Sequence, residues 1–202
     1  MRLLSAPPSP FGRKVKVALH MKGLADRITI ELADPNQPNP RLNAENPLGK
    51  IPVLILDDGT QLYDSGVICE YVDSLAPSPQ LFPQTGMARW RTLTLGALGD
   101  GILEAALLMV YEKRHRPEDK WVQSWLDRQQ GKIDTALAHL EAAPPAWGMA
   151  PDYGHLTLAC ALGYLDFRHE GRWRMRHPRL VAWLDDFARA VPGFAMTAPP
   201  AA

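Results

Sequence analysis

Two short stretches of the sequence carry groups that could bind an anionic peptide. Ile51-Pro52 opens an apolar run. If the bond before this proline is cis, the backbone N–H and C=O of Ile51 point outward, where an extended peptide can pair with them as an added strand. Asp64 and Ser65 follow at a predicted helix start, whose free N–H groups and positive dipole end suit a carboxylate. Together these groups predict a site for a small anionic peptide.

The elements that position these groups follow from the local pattern. An apolar run at 53–56, an Asp-Asp-Gly-Thr turn at 57–60 and the residues Gln61-Leu62-Tyr63 predict two antiparallel strands joined by a tight turn. Because proline cannot donate to a sheet ladder, Pro52 suits the first residue of the first strand. A helix is predicted from Asp64-Ser65 onward, since apolar residues recur at helical spacing: Val67, Ile68, Tyr71, Val72 and Leu75.

This stretch resembles the glutathione-binding half of the glutathione S-transferases. The resemblance rests on residues 46–54 (NPLGKIPVL), followed by Asp64-Ser65 at the start of a helix. It implies that the bond before Pro52 is cis and that the backbone of Ile51 hydrogen-bonds the cysteinyl part of glutathione. It also implies that Asp64 and Ser65 hold the γ-glutamyl end; the alternative for this pair is a plain helix cap.

The order of the first elements is that of a thioredoxin-like domain. A strand at 2–5, a helix from Ser9-Pro10 to about Gly23 and a strand at 27–32 precede the elements described above. A loop rich in proline and asparagine, with one helical turn near 41–45, connects them. We place this glutathione-binding domain at residues 1–76 and a proline-rich linker at 77–86.

Residues 87–202 contain no convincing strand and predict an all-helical domain. Long helical segments begin near Met87, Pro117, Asp152 and His177-Pro178, and the tail after Pro192 is expected to lie over the surface. The fold class is therefore α/β plus all-α, an N-terminal thioredoxin-like domain followed by a C-terminal helical bundle.

The segment from Asp152 is apolar nearly all round, which predicts a buried central helix. It resembles the sixth helix of many bacterial transferases of this type, in which Ser or Thr at the N-cap is followed three residues later by Asp. Here Asp152 can cap the helix, but His155 takes the place of the acidic partner. We therefore expect the reciprocal capping of that family to be disturbed, though not the fold.

The resemblance assigns the chemistry to Ser9, because family members with Ser-Pro-Phe at this place use the serine to stabilise the glutathione thiolate. A thiol with a pKa near 8.5 is only about 3% ionised at pH 7, and each unit of pKa depression needs about 1.4 kcal/mol. The Ser9 hydroxyl and the N-terminal end of the first helix can supply about one or two units. The alternative is that Ser9 only caps its helix. Ser5 is a weaker rival, which lies where some relatives carry Tyr.

Further contacts are predicted around this centre. Lys50 could pair with the glycyl carboxylate of glutathione, or it could simply face solvent. Phe11 is predicted to form one wall of the pocket for a second substrate, with Tyr111 and Arg114 of the long helix opposite. Arg13 is expected to be solvated or close to a subunit boundary rather than to bind a ligand.

The composition limits the function classes. With 46% hydrophobic and 22% charged residues and a formal net charge of zero, the sequence is typical of a globular protein and indicates neither nucleic acid nor a membrane as partner. The histidines lack metal-site spacing, so no metal and no cofactor beyond glutathione as co-substrate are expected. Cys69 and Cys160 suit buried reduced thiols. No apolar run approaches the length of a membrane span and no signal peptide is evident, so we expect a cytoplasmic protein.

The sequence thus predicts a glutathione transferase that conjugates the thiolate to a small hydrophobic electrophile, in the manner of detoxification enzymes, and the family implies a homodimer. A first alternative is a non-catalytic glutathione- or partner-binding protein with this fold. A second is a glutathione-dependent reductase or peroxidase. No cysteine lies within reach of Ser9 by sequence, so a protein-bound mixed disulfide is not expected.

Overall fold

The computed structural model describes residues 1–200, which form two compact units. The first unit contains Met1–Gly86 together with residues 191–200, and the second contains Met87–Ala190. Residues 77–86, predicted as a linker, and residues 191–200, predicted as part of the helical domain, both group with the first unit.

A four-stranded sheet forms the centre of the first unit. Its strands are β1 (Arg2–Ser5), β2 (Thr29–Leu32), β3 (Val53–Ile55) and β4 (Gln61–Leu62), in the order β2-β1-β3-β4. Strand β1 is parallel to β2 and antiparallel to β3, and β3 is antiparallel to β4. This strand-helix-strand unit followed by a hairpin confirms the predicted thioredoxin-like fold.

Three helices accompany the sheet: α1 (Pro10–Met21), α2 (Pro40–Glu45) and α3 (Ser65–Ser74). A short 3-10 helix, Ala25–Arg27, precedes β2, which therefore begins two residues later than predicted. Ile28, just before this edge strand, is buried, whereas Ile30 and Leu32 on the strand are exposed.

The proline-rich segment after α3 is held to the first unit by a buried ion pair. The Nζ atom of Lys22 donates to Asp73 Oδ1 at 2.7 Å and to the carbonyl of Pro79 at 2.6 Å. The carboxylate of Asp73 also accepts the backbone N–H groups of Leu81 and Phe82, at 2.8 and 2.9 Å. These bonds explain why residues that resemble a linker in sequence pack as part of a domain.

Residues 191–200 also pack against the rest of the first unit. They include the short helix α8 (Gly193–Met196), whose Phe194 is buried. Arg13 donates to the carbonyl of Phe194 at 2.8 Å, and its guanidinium lies 3.9 Å from the centre of the Phe194 ring. Arg13 is therefore a buried structural residue, and the prediction that it is solvated is wrong.

The second unit is helical, as predicted. It contains α4 (Gly86–His115, whose first residue belongs to the first unit), α5 (Gln123–Ala142), α6 (Tyr153–Arg168) and α7 (Pro178–Ala190), with 3-10 helices at Glu118–Lys120 and Arg172–Arg176. A side chain at Gly96 would lie 2.5 Å from the Tyr153 ring, and one at Gly99 would lie 2.9 Å from Thr157. These glycines therefore allow α4 and α6 to pack closely, which outweighs their poor helix propensity.

Helix α4 is long and apolar enough to cross a membrane by length and composition alone, contrary to the expectation from the sequence. One such helix is weak evidence for a membrane span, because core helices of globular domains meet the same criteria. Within the protein, 39% of the most apolar segment of α4 is buried.

The N-terminus of α6 forms the reciprocal cap that the sequence analysis expected to be disturbed. Asp152 Oδ1 accepts the backbone N–H of His155 at 3.1 Å, and His155 Nδ1 lies 3.2 Å from the backbone N–H of Asp152. The imidazole nitrogen replaces the usual carboxylate as acceptor. Because Nδ1 also lies 2.6 Å from Asp152 Oδ1, it accepts the backbone N–H when unprotonated and donates to the carboxylate when protonated.

Candidate functional site

Strand register brings the segments that carry the predicted glutathione-binding residues to one edge of the sheet. Leu4 of β1 pairs with Val53 of β3, so the end of β1 lies beside Pro52. Leu62 of β4 pairs with Leu54, so the chain leaves β4 at this same edge. Helix α1 starts here after β1, and α3 starts here after β4, and the two helices pack against each other. The edge therefore combines two helix N-termini with the start of β3.

Ser9 caps α1 in the way the local sequence predicts. Its backbone is extended, and its Oγ accepts the backbone N–H of Gly12 at 3.1 Å. Accepting this bond leaves the hydroxyl hydrogen available, so capping and donation to an anion are compatible. The side chain is half-buried, which leaves it accessible to a ligand.

Ser5 contributes a second hydroxyl to the same helix start. Its Oγ is buried and has no hydrogen-bond partner among residues 1–200. A side chain at Gly12 would lie 2.1 Å from Ser5 Oγ and 3.3 Å from Ser9 Oγ, so both hydroxyls lie against this glycine. Glycine at position 12 is what allows them to do so.

The Ile51-Pro52 bond is cis, as the family resemblance implies. No hydrogen bond to the backbone N–H or C=O of Ile51 is formed within residues 1–200. Pro52 itself is buried next to β3, whereas Ile51 is half-buried. The main chain at Ile51 therefore offers one donor and one acceptor to an extended peptide.

Asn46 fixes the loop that leads into Ile51, a role that the sequence analysis missed. Its side chain is buried, its Nδ2 donates to the carbonyl of Lys50 at 2.9 Å, and its Oδ1 accepts the N–H of Leu48 at 3.0 Å. Gly49, which adopts φ +60, bonds back to the Asn46 carbonyl at 2.8 Å. The sequence signal for this role was an asparagine three residues before a glycine, because asparagine side chains often hydrogen-bond to nearby backbone groups in turns.

Asp64 and Ser65 form the start of α3. Asp64 Oδ1 accepts the backbone N–H of Gly66 at 2.6 Å, and the carboxylate is otherwise exposed. Ser65 is 2% exposed, and its Oγ has no hydrogen-bond partner in the described part of the chain. Leaving a buried hydroxyl without a hydrogen bond costs about 1–3 kcal/mol of folding free energy. A ligand that bonds to the Ser65 hydroxyl at this positive helix end would recover that cost.

The remaining predicted residues differ in their surroundings. Lys50 is exposed, directly before Ile51. Phe11 is half-buried in α1, with Lys14 Nζ 5.9 Å from the centre of its ring. Tyr111 and Arg114 belong to the helical unit, where the Arg114 guanidinium lies 5.7 Å from the Tyr111 ring. Phe11 therefore lies in the first unit, and Tyr111 and Arg114 lie in the second.

The structure also describes the other chemically reactive side chains. Cys69 and Cys160 are both buried. Within residues 1–200, no group of three or more His, Cys, Asp or Glu side chains is placed to hold a metal ion.

Comparison with known proteins identifies the family. The family model of the glutathione S-transferase N-terminal domain matches residues 3–80, and that of the C-terminal domain matches residues 123–186. The chain belongs to the glutathione S-transferase family. It is 34% identical over 207 residues to the uncharacterized GST-like protein YibF of Escherichia coli K12, and the match covers 100% of both chains.

Solved structures of the family are similar over the whole chain. A glutathione transferase family member from Pseudomonas fluorescens Pf-5, crystallised with bound glutathione, has a TM-score of 0.91 and 44% identity, and the match covers 98% of each chain. A glutathione S-transferase from Methylobacterium radiotolerans, in complex with glutathione sulfonate, has a TM-score of 0.89 and 33% identity, covering 100% of this chain and 95% of that one. The family and the fold class predicted from sequence are therefore confirmed.

Proposed function

We propose that the protein binds glutathione at the sheet edge formed by the starts of α1, β3 and α3, and uses the glutathione thiolate to attack a small hydrophobic electrophile. The observation that carries this proposal is the set of unused polar groups at that edge. The Ile51 backbone and the Ser65 hydroxyl lack partners within the described residues. Similar structures that hold glutathione or glutathione sulfonate support this choice of ligand.

Each part of the tripeptide has a counterpart among these groups. The cysteinyl main chain would pair with the N–H and C=O of Ile51 as an added strand. The α-carboxylate of the γ-glutamyl residue would accept hydrogen bonds from the Ser65 hydroxyl and from the N–H groups at the start of α3. The ammonium group of the same residue would pair with the carboxylate of Asp64. Lys50 would contribute a surface ion pair to the glycyl carboxylate, worth about 0–1 kcal/mol.

The chemical step requires that the thiol lose its proton. In our proposal the Ser9 hydroxyl donates to the sulfur while its oxygen keeps the Gly12 N–H, so the helix N-terminus and one hydrogen bond act on the same anion. The thiol proton passes to solvent, the sulfur lone pair forms the new bond to carbon, and the leaving group departs with its electron pair. Phe11, Tyr111 and Arg114 remain our proposed contacts for the electrophile.

We also propose that the protein is a homodimer. We expect it to act in the cytoplasm and to serve in detoxification. We place the contact on α3 and α4, and both helices expose apolar side chains: Val67 on α3 is 51% exposed, and Met87 and Trp90 on α4 are 64% and 60% exposed. Exposed aromatic and methionine side chains are typical of interfaces. Light scattering of the purified protein tests this part, and a monomer at micromolar concentration would contradict it.

Calorimetric titration with glutathione tests the central step. We expect wild type to bind, and Ser65→Ala to bind at least about tenfold more weakly, because hydrogen bonds to charged groups are worth about 1.5–3 kcal/mol. Ser74→Ala is the matched control, since Ser74 bonds to Tyr71 at the other end of α3. Absence of heat with wild type, or an unchanged affinity of Ser65→Ala, would contradict the proposal.

Turnover assays separate the chemical alternatives once binding is established. Conjugation to 1-chloro-2,4-dinitrobenzene or a similar aromatic halide is the result we expect. Glutathione binding without conjugation of any such electrophile would favour a non-catalytic binding protein. Oxidation of glutathione driven by a hydroperoxide, and lost in Ser9→Ala, would instead favour a peroxidase.

A further inference from the structure

Strand β2 forms one edge of the sheet and carries two exposed apolar side chains. Ile30 is 50% exposed and Leu32 is 78% exposed. Because side chains alternate between the two faces of a strand, both lie on the same face of β2. Their register partners on β1, Leu3 and Ser5, are buried. The buried part of this face therefore ends at β1, and the apolar side chains of the edge strand face solvent.

The main chain of the same two residues is unpaired. The N–H groups of Thr29 and Ala33 donate to backbone carbonyls of the neighbouring residues 1–5, at 3.2 and 3.0 Å. Backbone groups of successive residues point to opposite sides of a strand, so the N–H and C=O of Ile30 and Leu32 point away from β1. Since β2 pairs with β1 alone, these two donors and two acceptors have no partner strand within residues 1–200.

This edge lacks several features that discourage pairing with another chain. Natural proteins protect sheet edges with proline, lysine, a bulge or a covering segment. The sequence of β2 is Thr-Ile-Glu-Leu, and its register with β1 is continuous over all four residues. Its only charged residue, Glu31, lies on the face opposite Ile30 and Leu32. The edge is therefore accessible to a further strand.

The face that carries Glu31 has a net positive charge. Arg2 Nη1 donates to the two carboxylate oxygens of Glu31 at 3.1 and 3.3 Å, and Arg41 of α2 donates to the same carboxylate. All three groups are charged at neutral pH, so together they carry one net positive charge. The side chains of Arg2 and Arg41 are 42% and 62% exposed, which leaves both accessible to another group.

We propose that β2 binds an extended peptide segment of another protein, which adds a fifth strand to the sheet and carries an acidic side chain between two apolar ones. The main chain of the peptide would pair with that of Ile30 and Leu32, and its apolar side chains would cover theirs. The acidic side chain between them would lie on the opposite face, within reach of Arg2 and Arg41.

The charge at this edge decides between two possible partners. A second copy of β2 would bring two groups of the same net charge together, which disfavours pairing between copies of this chain. An acidic peptide meets the opposite charge instead. The site goes beyond the proposed function, because none of the residues assigned to glutathione contributes to it.

Fluorescence anisotropy of the full-length protein with the labelled peptide acetyl-Ser-Thr-Val-Glu-Val-Thr-Ser-amide tests the proposal. We expect saturable binding with a Kd below about 1 mM. The same peptide with lysine in place of the glutamate should bind at least about threefold more weakly, because repulsion replaces attraction. N-methylation of the three central amides keeps every side chain but removes the donors, and should abolish binding. Absence of binding, or equal affinity for either control peptide, would overturn the proposal.

Variants locate the site. Leu32→Pro removes one outward N–H and one exposed side chain, and proline is tolerated on an edge strand whose N–H faces solvent, so binding should fall at least about tenfold. Arg41→Gln should lower affinity for the acidic peptide about twofold to fivefold and leave affinity for a peptide with glutamine in place of glutamate unchanged. Met175→Ser is the matched control, since Met175 is a similarly exposed apolar residue of the second unit. Wild-type affinity in Leu32→Pro would overturn the proposal.

Amide hydrogen exchange of wild type gives a readout that does not depend on how the variants fold. The amides of Ile30 and Leu32 should exchange at least about tenfold more slowly in the presence of the acidic peptide, whereas those of Thr29 and Ala33 are protected in both states by their bonds to residues 1–5. Peptide-induced protection confined to other residues would overturn the proposal. So would protection of Ile30 and Leu32 that rises with protein concentration without peptide, because a second copy would then cover this edge.

Discussion

The side-chain amide of Asn46 donates a hydrogen bond to the carbonyl of Lys50 at 2.9 Å. Because the same side chain also accepts the N–H of Leu48, one buried amide sets the path of the chain into Ile51 and the cis bond that follows. The position of the unpaired backbone groups of Ile51 thus depends on a residue that need not touch the ligand.

We expect Asn46→Asp to weaken glutathione binding by at least about tenfold, because it keeps the acceptor for Leu48 but loses the donor to Lys50. Leaving a buried carbonyl unsatisfied should also cost about 1–3 kcal/mol of folding free energy. Calorimetry with glutathione and urea denaturation measure the two effects. Gln37→Ala, on the exposed loop before α2, should change neither. Wild-type affinity in Asn46→Asp would show that the Lys50 bond does not position Ile51.

Ser9 combines a structural and a proposed chemical role, and Ser9→Asp separates them. Aspartate is as good an N-cap as serine, so the free energy of unfolding should change by less than about 0.5 kcal/mol. The negative charge of the aspartate should raise the pKa of the thiol of bound glutathione, so kcat/KM for conjugation should fall at least about 100-fold. Ser9→Ala loses the cap as well and should unfold more readily, by about 0.5–2 kcal/mol. Wild-type activity in Ser9→Asp would exclude thiolate stabilisation by this hydroxyl.

The cap of α6 should make stability depend on pH in the acid range. Burial raises the pKa of Asp152, but hydrogen bonds from His155 and Thr92 outweigh burial and hold the pKa below its usual range. A carboxyl whose pKa is depressed in the folded state stabilises the fold above its unfolded pKa and loses this contribution as the pH falls through its folded pKa.

Asp152→Asn should therefore be less stable than wild type at pH 7, and the difference in free energy of unfolding should vanish as the pH falls through the folded pKa of Asp152. Asparagine is also a good N-cap, so the variant changes the charge and leaves the capping oxygen in place. Urea denaturation at a series of pH values measures the difference. A difference that does not vary with pH would mean that the Asp152 charge is not coupled to folding.

The ion pair of Lys22 with Asp73 should be the strongest single support of the segment after α3. Asp73→Ala leaves a buried ammonium and two backbone N–H groups without their acceptor, so we expect a loss of about 3–5 kcal/mol of folding free energy. Asp26→Ala, which removes an exposed carboxylate from the same unit, should cost less than about 0.5 kcal/mol. Cleavage by protease in residues 76–86 should accelerate only in Asp73→Ala, and unchanged cleavage would contradict the role of the ion pair.

Local rules of the sequence were sufficient for most of the first unit and for the candidate site. The Ser9-Pro10 start of α1, the hairpin after Pro52 and the Asp64 cap of α3 all depend on residues within a few positions of one another, where backbone geometry limits the choices. The capping of α6 by His155 was misjudged, because an imidazole nitrogen can accept the bond that a carboxylate usually accepts.

Only the tertiary structure decided which polar groups are paired. Arg13 looks like a surface residue in sequence, yet it is buried against Phe194, which lies 181 positions away. Ser5 and Ser65 look like ordinary serines, yet packing buries both hydroxyls and leaves them without partners in the described chain. A cavity of the helical unit, lined by Leu137, Leu165 and Trp173, likewise depends on how α5, α6 and the segment after α6 meet. Contacts of this kind are set by packing between distant segments, and periodicity and capping signals, which report on neighbours along the chain, carry no information about them.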